Sequence, residues 1–466
     1  MLDVSREEIT EGSLPRVLLV LAAPLVAQNL VQVFQQVIDT FWLGRLGEDA
    51  VAAVGLNFPI IAVLIALATV APFVGTQVLV SQRYGAEDPA GARSAAIHGT
   101  TLSILFGFVV GGFVYLFAPE IVGPFGAGPT VTELAAIYLA VYALGLPILS
   151  ASDAIEGGFI GWGDTRAALY INVLAVATNV ILDPFLIFGW GPFPALGVQG
   201  AALATVIGYS LGFSLALWMA VGSRASLPLG RQDLRIEIAE FRELLDIGAP
   251  SAGQHLAQQS VRVVIIGIVA SVGGAAGLAA YTVGARIASV AFILASGLQQ
   301  AAQSVIGQNL GADKPERARR ATWTGVVIAG GALAVVGAIQ WFIPEILTRL
   351  FVPDISPEGF ALTVEYLVIL SYGYWAIGVT YLFLAGFNAA RRTRTSMIAS
   401  LLQYWAVRLP IAAGGALVLG FGVSAVFWAV TISNVVAALG LGIYYRYETQ
   451  SGMLQRATEQ TSAATD

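Results

Sequence analysis

The sequence predicts an all-α integral membrane protein with twelve transmembrane helices in two pseudo-symmetric six-helix lobes. Three observations carry that prediction: a charge-poor composition, apolar runs of spanning length, and an internal duplication. Of 466 residues, 57% are hydrophobic and 11% charged, against roughly 45–50% and about 25% in soluble domains. In lipid every backbone polar group needs an internal partner, which leaves helices or a closed barrel. Barrel strands alternate apolar and polar residues, whereas Leu56 to Val74 and Ala321 to Ile339 are apolar almost without a break. Helices are therefore expected.

Polar or Gly/Pro-rich breaks delimit the elements in order. The first six helices fall near 15–43, 51–80, 94–118, 133–158, 166–188 and 197–221, and the second six near 241–271, 275–306, 320–343, 360–386, 395–418 and 422–446. This divides the chain into an N-lobe over 1–221, an inter-lobe linker over 222–240, a C-lobe over 241–446 and a tail over 447–466. The linker interleaves Arg224, Arg231 and Arg235 with Leu234, Ile236 and Ile238. That pattern suits a short interfacial helix or a solvated connector, and both stay open. The tail is polar and is expected to be disordered. Asp3, Glu7, Glu8 and Glu11 make the N-terminus acidic rather than a basic signal region, so the first helix is expected to act as its own anchor.

Orientation follows from the basic residues. Placing both termini in the cytoplasm leaves Arg45 and Arg349 alone outside and Arg262, Arg286 and Arg408 within spans, with the remaining eighteen of the 23 basic residues inside. This is the positive-inside pattern of a multi-pass protein of the cell membrane. The duplication supports the even helix count. At an offset of 226 positions, Gln82-x-x-Gly85-Ala86-x-x-Pro89-x-x-Ala92-Arg93 meets Gln308-x-x-Gly311-Ala312-x-x-Pro315-x-x-Ala318-Arg319, and Pro24 meets Pro250. Six helices per half make the halves parallel repeats, a plan typical of transporters.

Composition also excludes chemistry. There is no cysteine, and the two histidines, His98 and His255, stand far apart without an HExxH pattern. A metal or redox centre is not expected, and no nucleophile–base set suggests an enzyme. A nucleic-acid partner is not expected either; the partners are the lipid bilayer and small organic substrates, with the chain read as a monomer.

An ionisable side chain within a span is expensive and is a functional hypothesis by default. Asp39, Asp153, Glu156 and Asp183 all lie in the first half, whereas the second half offers Arg262, Arg286 and Arg408. Asp39 lies about 36 Å along the first helix and Asp183 about 26 Å along the fifth, at 1.5 Å per residue. Gln28, Gln32, Gln35/Gln36 and Asp39 recur every three to four residues and draw one polar stripe. Asn179 and Asp183 share a face at i and i+4. Two carboxylates with an amide and a hydroxyl can hold Na⁺ or a proton. Asp153 and Glu156 lie near a helix end, where snorkelling or capping is the readier explanation. Ser251, Gln254, Gln258 and Arg262 mirror the stripe in the second half, beside His255, for which packing is favoured over a proton role. Pro24 removes a helix hydrogen bond and permits a bend beneath Asp39.

Ala23-Pro24, Val80-Ser81-Gln82-x-x-Gly85-Ala86, Gly161-Trp162-Gly163-Asp164-Thr165-Arg166, Asn179-x-x-x-Asp183-Pro184 and Gly197-x-x-Gly200-Ala201-Ala202-x-Ala204-Thr205, in this order, resemble the multidrug and toxic compound extrusion (MATE) family over about residues 12 to 447. The acid pattern resembles its DinF-like and archaeal branch. The resemblance implies a coupling-cation site of Asp39, Asn179, Asp183 and Thr205 and makes Arg286 a candidate for the cavity or for tying helix ends together; Gln28, Gln32, Gln36, Gln254 and Gln258 are substrate-cavity candidates because a stripe of amides facing lipid would be expensive. The resemblance implies no cofactor beyond H⁺ or Na⁺ as coupling ion, with Na⁺ at the same four cation-site residues. The C-lobe acids of the family's Vibrio-type branch have no counterpart in Gln254, His255 and Gln258 or in Tyr372 to Ala385. The function expected is efflux antiport of organic, often cationic, compounds by alternating access. The alternative is a flippase or exporter of a lipid-linked or glycolipid substrate, which the C-half arginines keep open.

Overall fold

The computed structural model describes residues 5–222, 237–352 and 356–463. Most of the linker, 223–236, lies outside the described residues, and with it the question of an interfacial helix there. The described chain is helical, with α1 at Arg6–Glu11, α2 at Leu14–Gly44, α3 at Glu48–Gly85, α4 at Pro89–Phe125, α5 at Pro129–Trp162, α6 at Thr165–Phe188 and α7 at Val198–Val221. A helical stretch from Ile238 to Gly311 follows, broken at Gly274, whose φ of 55° and ψ of −150° no helix contains. A Cβ on Gly277 would lie 3.8 Å from the Val269 carbonyl, whereas eight residues of continuous helix span about 12 Å. The chain therefore turns back at Gly274, and α8 (238–273) and α9 (275–311) are separate spans. After them come α10 at Pro315–Phe342, α11 at Pro344–Phe351, α12 at Pro357–Ser371, α13 at Tyr374–Ala389, α14 at Thr393–Val418 and α15 at Gly422–Gln450. Helices α12 and α13 form one span bent by 48°. The described residues thus make twelve spans. Val109, Leu116 and Val327 are each about 70% exposed, as apolar side chains facing lipid should be.

Local sequence explains the joints. Asp88 and Asp164 cap α4 and α6 by accepting from Gly91 N at 2.8 Å and Ala167 N at 3.0 Å, satisfying amides that a helix start leaves open. The duplicated motif folds twice into the same turn. Glu87 and Asp313, 226 residues apart, both take positive φ, 61° and 56°. Asp88 N reaches Arg83 O at 2.9 Å, and its equivalent, Lys314 N, reaches Asn309 O at 2.8 Å.

The tail departs from expectation. Met453–Ala463 is helical, α16, and Met453, Leu454, Ala457, Thr458 and Thr461 are buried. Their spacing gives this polar segment one face to bury, which its average composition conceals.

Packing divides the molecule into two compact units, one of Ala23–Ala252 with Arg6, the other of Glu7–Ala22 with Gly253–Ala463. The changes of unit fall beside Pro24 and Pro250, the residues the repeat superimposes. Helix α2 is continuous across Pro24. Within the first unit, the opening segment of α8 lies directly on α3: a Cβ on Gly248 would sit 1.8 Å from the Ala71 carbonyl, and one on Gly75 2.5 Å from the Leu244 carbonyl. Gly248→Ala must push these backbones apart, at about 1–3 kcal/mol or more. Thermal unfolding of the solubilised protein should show a lower midpoint, with Gly331→Ala, which meets nothing within 4 Å, as the neutral control. Equal midpoints would contradict the close approach.

Candidate functional site

The acids of the first unit are brought together by the pairing of α6 with α7. Gly208 makes that pairing close, since a Cβ there would lie 2.4 Å from Ala175 O and 3.3 Å from Asn179 N. Leu196 N and Gly197 N then bond to Leu186 O and Ile187 O at 2.9 and 3.1 Å, fixing the connection. Thr205 on α7 consequently faces Asn179 on α6. Asp183 lies one turn further along α6, and α2 brings Asp39 to the same point. Asp183 and Asn179 are 0% and 1% exposed, Thr205 is buried, and Asp39 is half-buried.

The Asn179 amide stands between two carboxyl groups and can serve one at a time. With its nitrogen toward α2 it donates to Asp39 Oδ1 at 3.0 Å, and its oxygen accepts from Thr205 Oγ1 and Thr205 N, both at 3.2 Å. Turned over, the nitrogen donates to Asp183 Oδ1 at 3.4 Å and to Thr205 Oγ1 at 3.2 Å. An amide's orientation is set by its partners. Either way the other carboxylate faces an amide oxygen, an arrangement that favours a proton or a cation between them. Asp183 Oδ2 is buried with no hydrogen-bond partner among the described residues. An all-oxygen set of this kind suits a hard monovalent cation or a proton.

The four residues implied by resemblance therefore meet in one place. Gln35, the neighbour of Gln36, reaches the Asn179 amide at 2.9 Å; Gln36 is exposed and Gln32 half-buried. Gln28 is buried and donates to Glu156 Oε1 at 2.5 Å across 128 residues of sequence. Glu156 is 5% exposed, so its expected snorkelling is corrected: it is an interior acid held by an amide. Tyr138, Tyr142 and Tyr209 went unnoticed in the sequence. All three pack in the apolar core that also takes in Leu43 of α2 and Ile187 of α6, each four residues beyond Asp39 and Asp183 respectively. The signal available was the i, i+4 pair Tyr138 and Tyr142, whose rings stack at 6.5 Å on the helix that carries both further acids. In the second unit Gln254, His255 and Gln258 are half-buried and Arg286 is exposed.

The sequence pattern of the MatE family matches residues 24–185 and again 250–414, two copies that start at Pro24 and Pro250. The chain belongs to the MatE family. This MatE protein is 27% identical over 460 residues to a protein of Shewanella oneidensis named FAD transporter, covering 99% of this chain and 98% of that one. It is 31% identical over 455 residues to a probable multidrug resistance protein NorM of Mesorhizobium japonicum, covering 92% and 93%. Its fold matches the crystal structure of a MATE protein in complex with MaL6, with a TM-score of 0.89 at 24% identity over 96% of this chain and 99% of that one. The MatE protein is thus a multi-pass membrane transporter and not an enzyme.

Proposed function

We propose that this transporter is a secondary antiporter of the cell membrane, with both termini cytoplasmic, that exports amphiphilic organic compounds in exchange for H⁺ or Na⁺ bound at Asp39, Asn179, Asp183 and Thr205. One observation carries the reading: a single buried amide lies between two carboxyls and cannot satisfy both. The remaining carboxylate takes an incoming cation, and binding that cation fixes the amide, and with it α2, against α6. Antiport requires that cation and substrate each lower the other's affinity in the shared state. The names of the NorM relatives support a broad range of organic substrates, and the Shewanella relative's name adds a flavin dinucleotide to the compounds to be tried.

Proteoliposomes under an imposed pH gradient or an imposed Na⁺ gradient test this with rhodamine 123 efflux. Export driven by one gradient and not the other is expected, and identifies the ion. Folded protein that exports under neither gradient would overturn antiport and bring the lipid-linked flippase forward.

A further inference from the structure

The second unit carries charge of the opposite sign, and nothing assigned so far uses it. Arg262 lies twelve residues before the break at Gly274, and Arg408 ten residues before the end of α14 at Val418. At 1.5 Å per residue these are about 18 Å and about 15 Å from a helix end, close to the middle of a hydrocarbon layer about 30 Å thick. A formal positive charge at that depth is costly, so each of these arginines needs an answer.

The unit's own acids do not provide one. Away from helix ends, the only acid on a spanning helix of this unit, among the described residues, is Glu365 on α12, which the sequence reading passed over. It forms no ion pair with either arginine. Arg408 is instead held by neutral groups. Its Nε donates to Ser433 Oγ at 2.8 Å and its Nη2 to Asn434 Oδ1 at 2.8 Å, and the guanidinium lies 4.4 Å from the centre of the Tyr404 ring. Gln403 Nε2 also donates to Asn434 Oδ1, at 2.9 Å. These bonds use two of five N–H donors and leave three. Residues Leu402–Arg408 are wound as a π-helix, a rare form that recurs at functional positions. Arg262 is exposed and makes no hydrogen bond or ion pair with any described residue. Trp405 Nε1 donates to Ala257 O at 3.3 Å, which holds α14 against α8 with Arg408 three residues beyond one contact and Arg262 five beyond the other; Tyr281 and Tyr366, whose rings stack at 5.6 Å, pack in the core shared by these two helices.

We propose that Arg262 and Arg408, beside the stacked Tyr281 and Tyr366, form an anion-binding site within the second unit for compounds that pair an aromatic body with a carboxylate, sulfonate or phosphate. Arg408 is the fixed, pre-oriented donor, because neutral partners hold its fork without neutralising it. Arg262 is the mobile one, free to close on the anion. The aromatic wall supplies the apolar contact that such a compound needs beside its charged group. Taken as a substrate site, it rests on the transport reading above and gives anionic substrates a place in the second unit.

The test separates binding from transport. Binding of carboxyfluorescein, an anion, to the solubilised full-length protein is followed by fluorescence anisotropy, and gradient-driven efflux of rhodamine 123, a cation with the same kind of ring system, is followed in proteoliposomes. Arg262→Gln and Arg408→Gln should each weaken carboxyfluorescein binding by about tenfold to a hundredfold, the worth of a charge-assisted hydrogen bond, and Arg408→Lys should restore part of it. Arg262 has no hydrogen bonds to lose, so its variant reads the site without risk to folding. Wild-type protein that does not bind carboxyfluorescein, or variants that bind it as tightly as wild type, would overturn the anion site whatever rhodamine 123 does. Loss of rhodamine 123 efflux in the wild type would instead count against antiport alone.

Discussion

Asp39→Asn is expected to reduce gradient-driven export about 100-fold, to the level of protein-free liposomes, while the protein remains folded. The substitution keeps the shape of the side chain and removes its charge. Asparagine can still bond to the Asn179 amide, but it can neither release a proton nor balance a cation. Coupling energies of about 1–3 kcal/mol correspond to about 5- to 150-fold, and the loss of the charge removes the whole of that term. Asp183→Asn should behave alike, because the two carboxyls face one amide. If protons are the coupling ion, wild-type export rises as the outer solution is acidified relative to the lumen, and both variants lose that slope. Full, gradient-dependent export by both variants would sink the mechanism. Substrate binding gives the finer reading: in wild type the coupling cation should displace a bound dye, and in Asp39→Asn it should not.

Lipid made much of this architecture legible before any coordinates. A helix in hydrocarbon must be apolar for about twenty residues, so the spans stand out in the sequence, and the duplicated turn motif reappears as the same backbone at Glu87 and Asp313. The residues around Asp39 were visible for the same reason, since an acid in a span is conspicuous and the i, i+4 spacing of Asn179 and Asp183 is local. What escaped depends on distant pairing. Nothing near Gln28 in sequence indicates that it meets Glu156, and the stacked tyrosines of α5 resemble ordinary interfacial aromatics until the core they share with α2 and α6 is assembled. Glu365 passed unnoticed among apolar neighbours, and α16 was hidden by a composition that disguises its buried face. The compact units add a further lesson: α2 and α8 each contribute to both, which no hydropathy profile records.

Arg83 marks where that sharing is held, and its loss is expected to be the most costly single change outside the acid site. Its guanidinium is nearly buried, with Nη1 at 2.9 Å from Glu240 Oε2 and from Gly91 O, and Nη2 at 2.8 Å from Glu243 Oε2. Both glutamates lie on the opening segment of α8, so one side chain at the end of α3 fastens that segment within the first unit. The contacts Gly75 and Gly248 make with the same helix pair show that the segment is already packed there; the arginine fixes its register. Removing one partner of a buried pair leaves the others uncompensated and costs about 3–5 kcal/mol; Glu243 keeps a quarter of its side chain exposed, which favours the lower end. Arg83→Ala should therefore lower the thermal unfolding midpoint of the solubilised protein clearly. Repulsion and desolvation at the two carboxylates that lose the arginine account for much of the loss, so adding Glu240→Gln and Glu243→Gln to Arg83→Ala should return part of it, whereas the same glutamine pair with Arg83 intact should destabilise. If the triple variant is no more stable than Arg83→Ala, the arginine acts through packing of its stem and its bond to Gly91 rather than through the two charges.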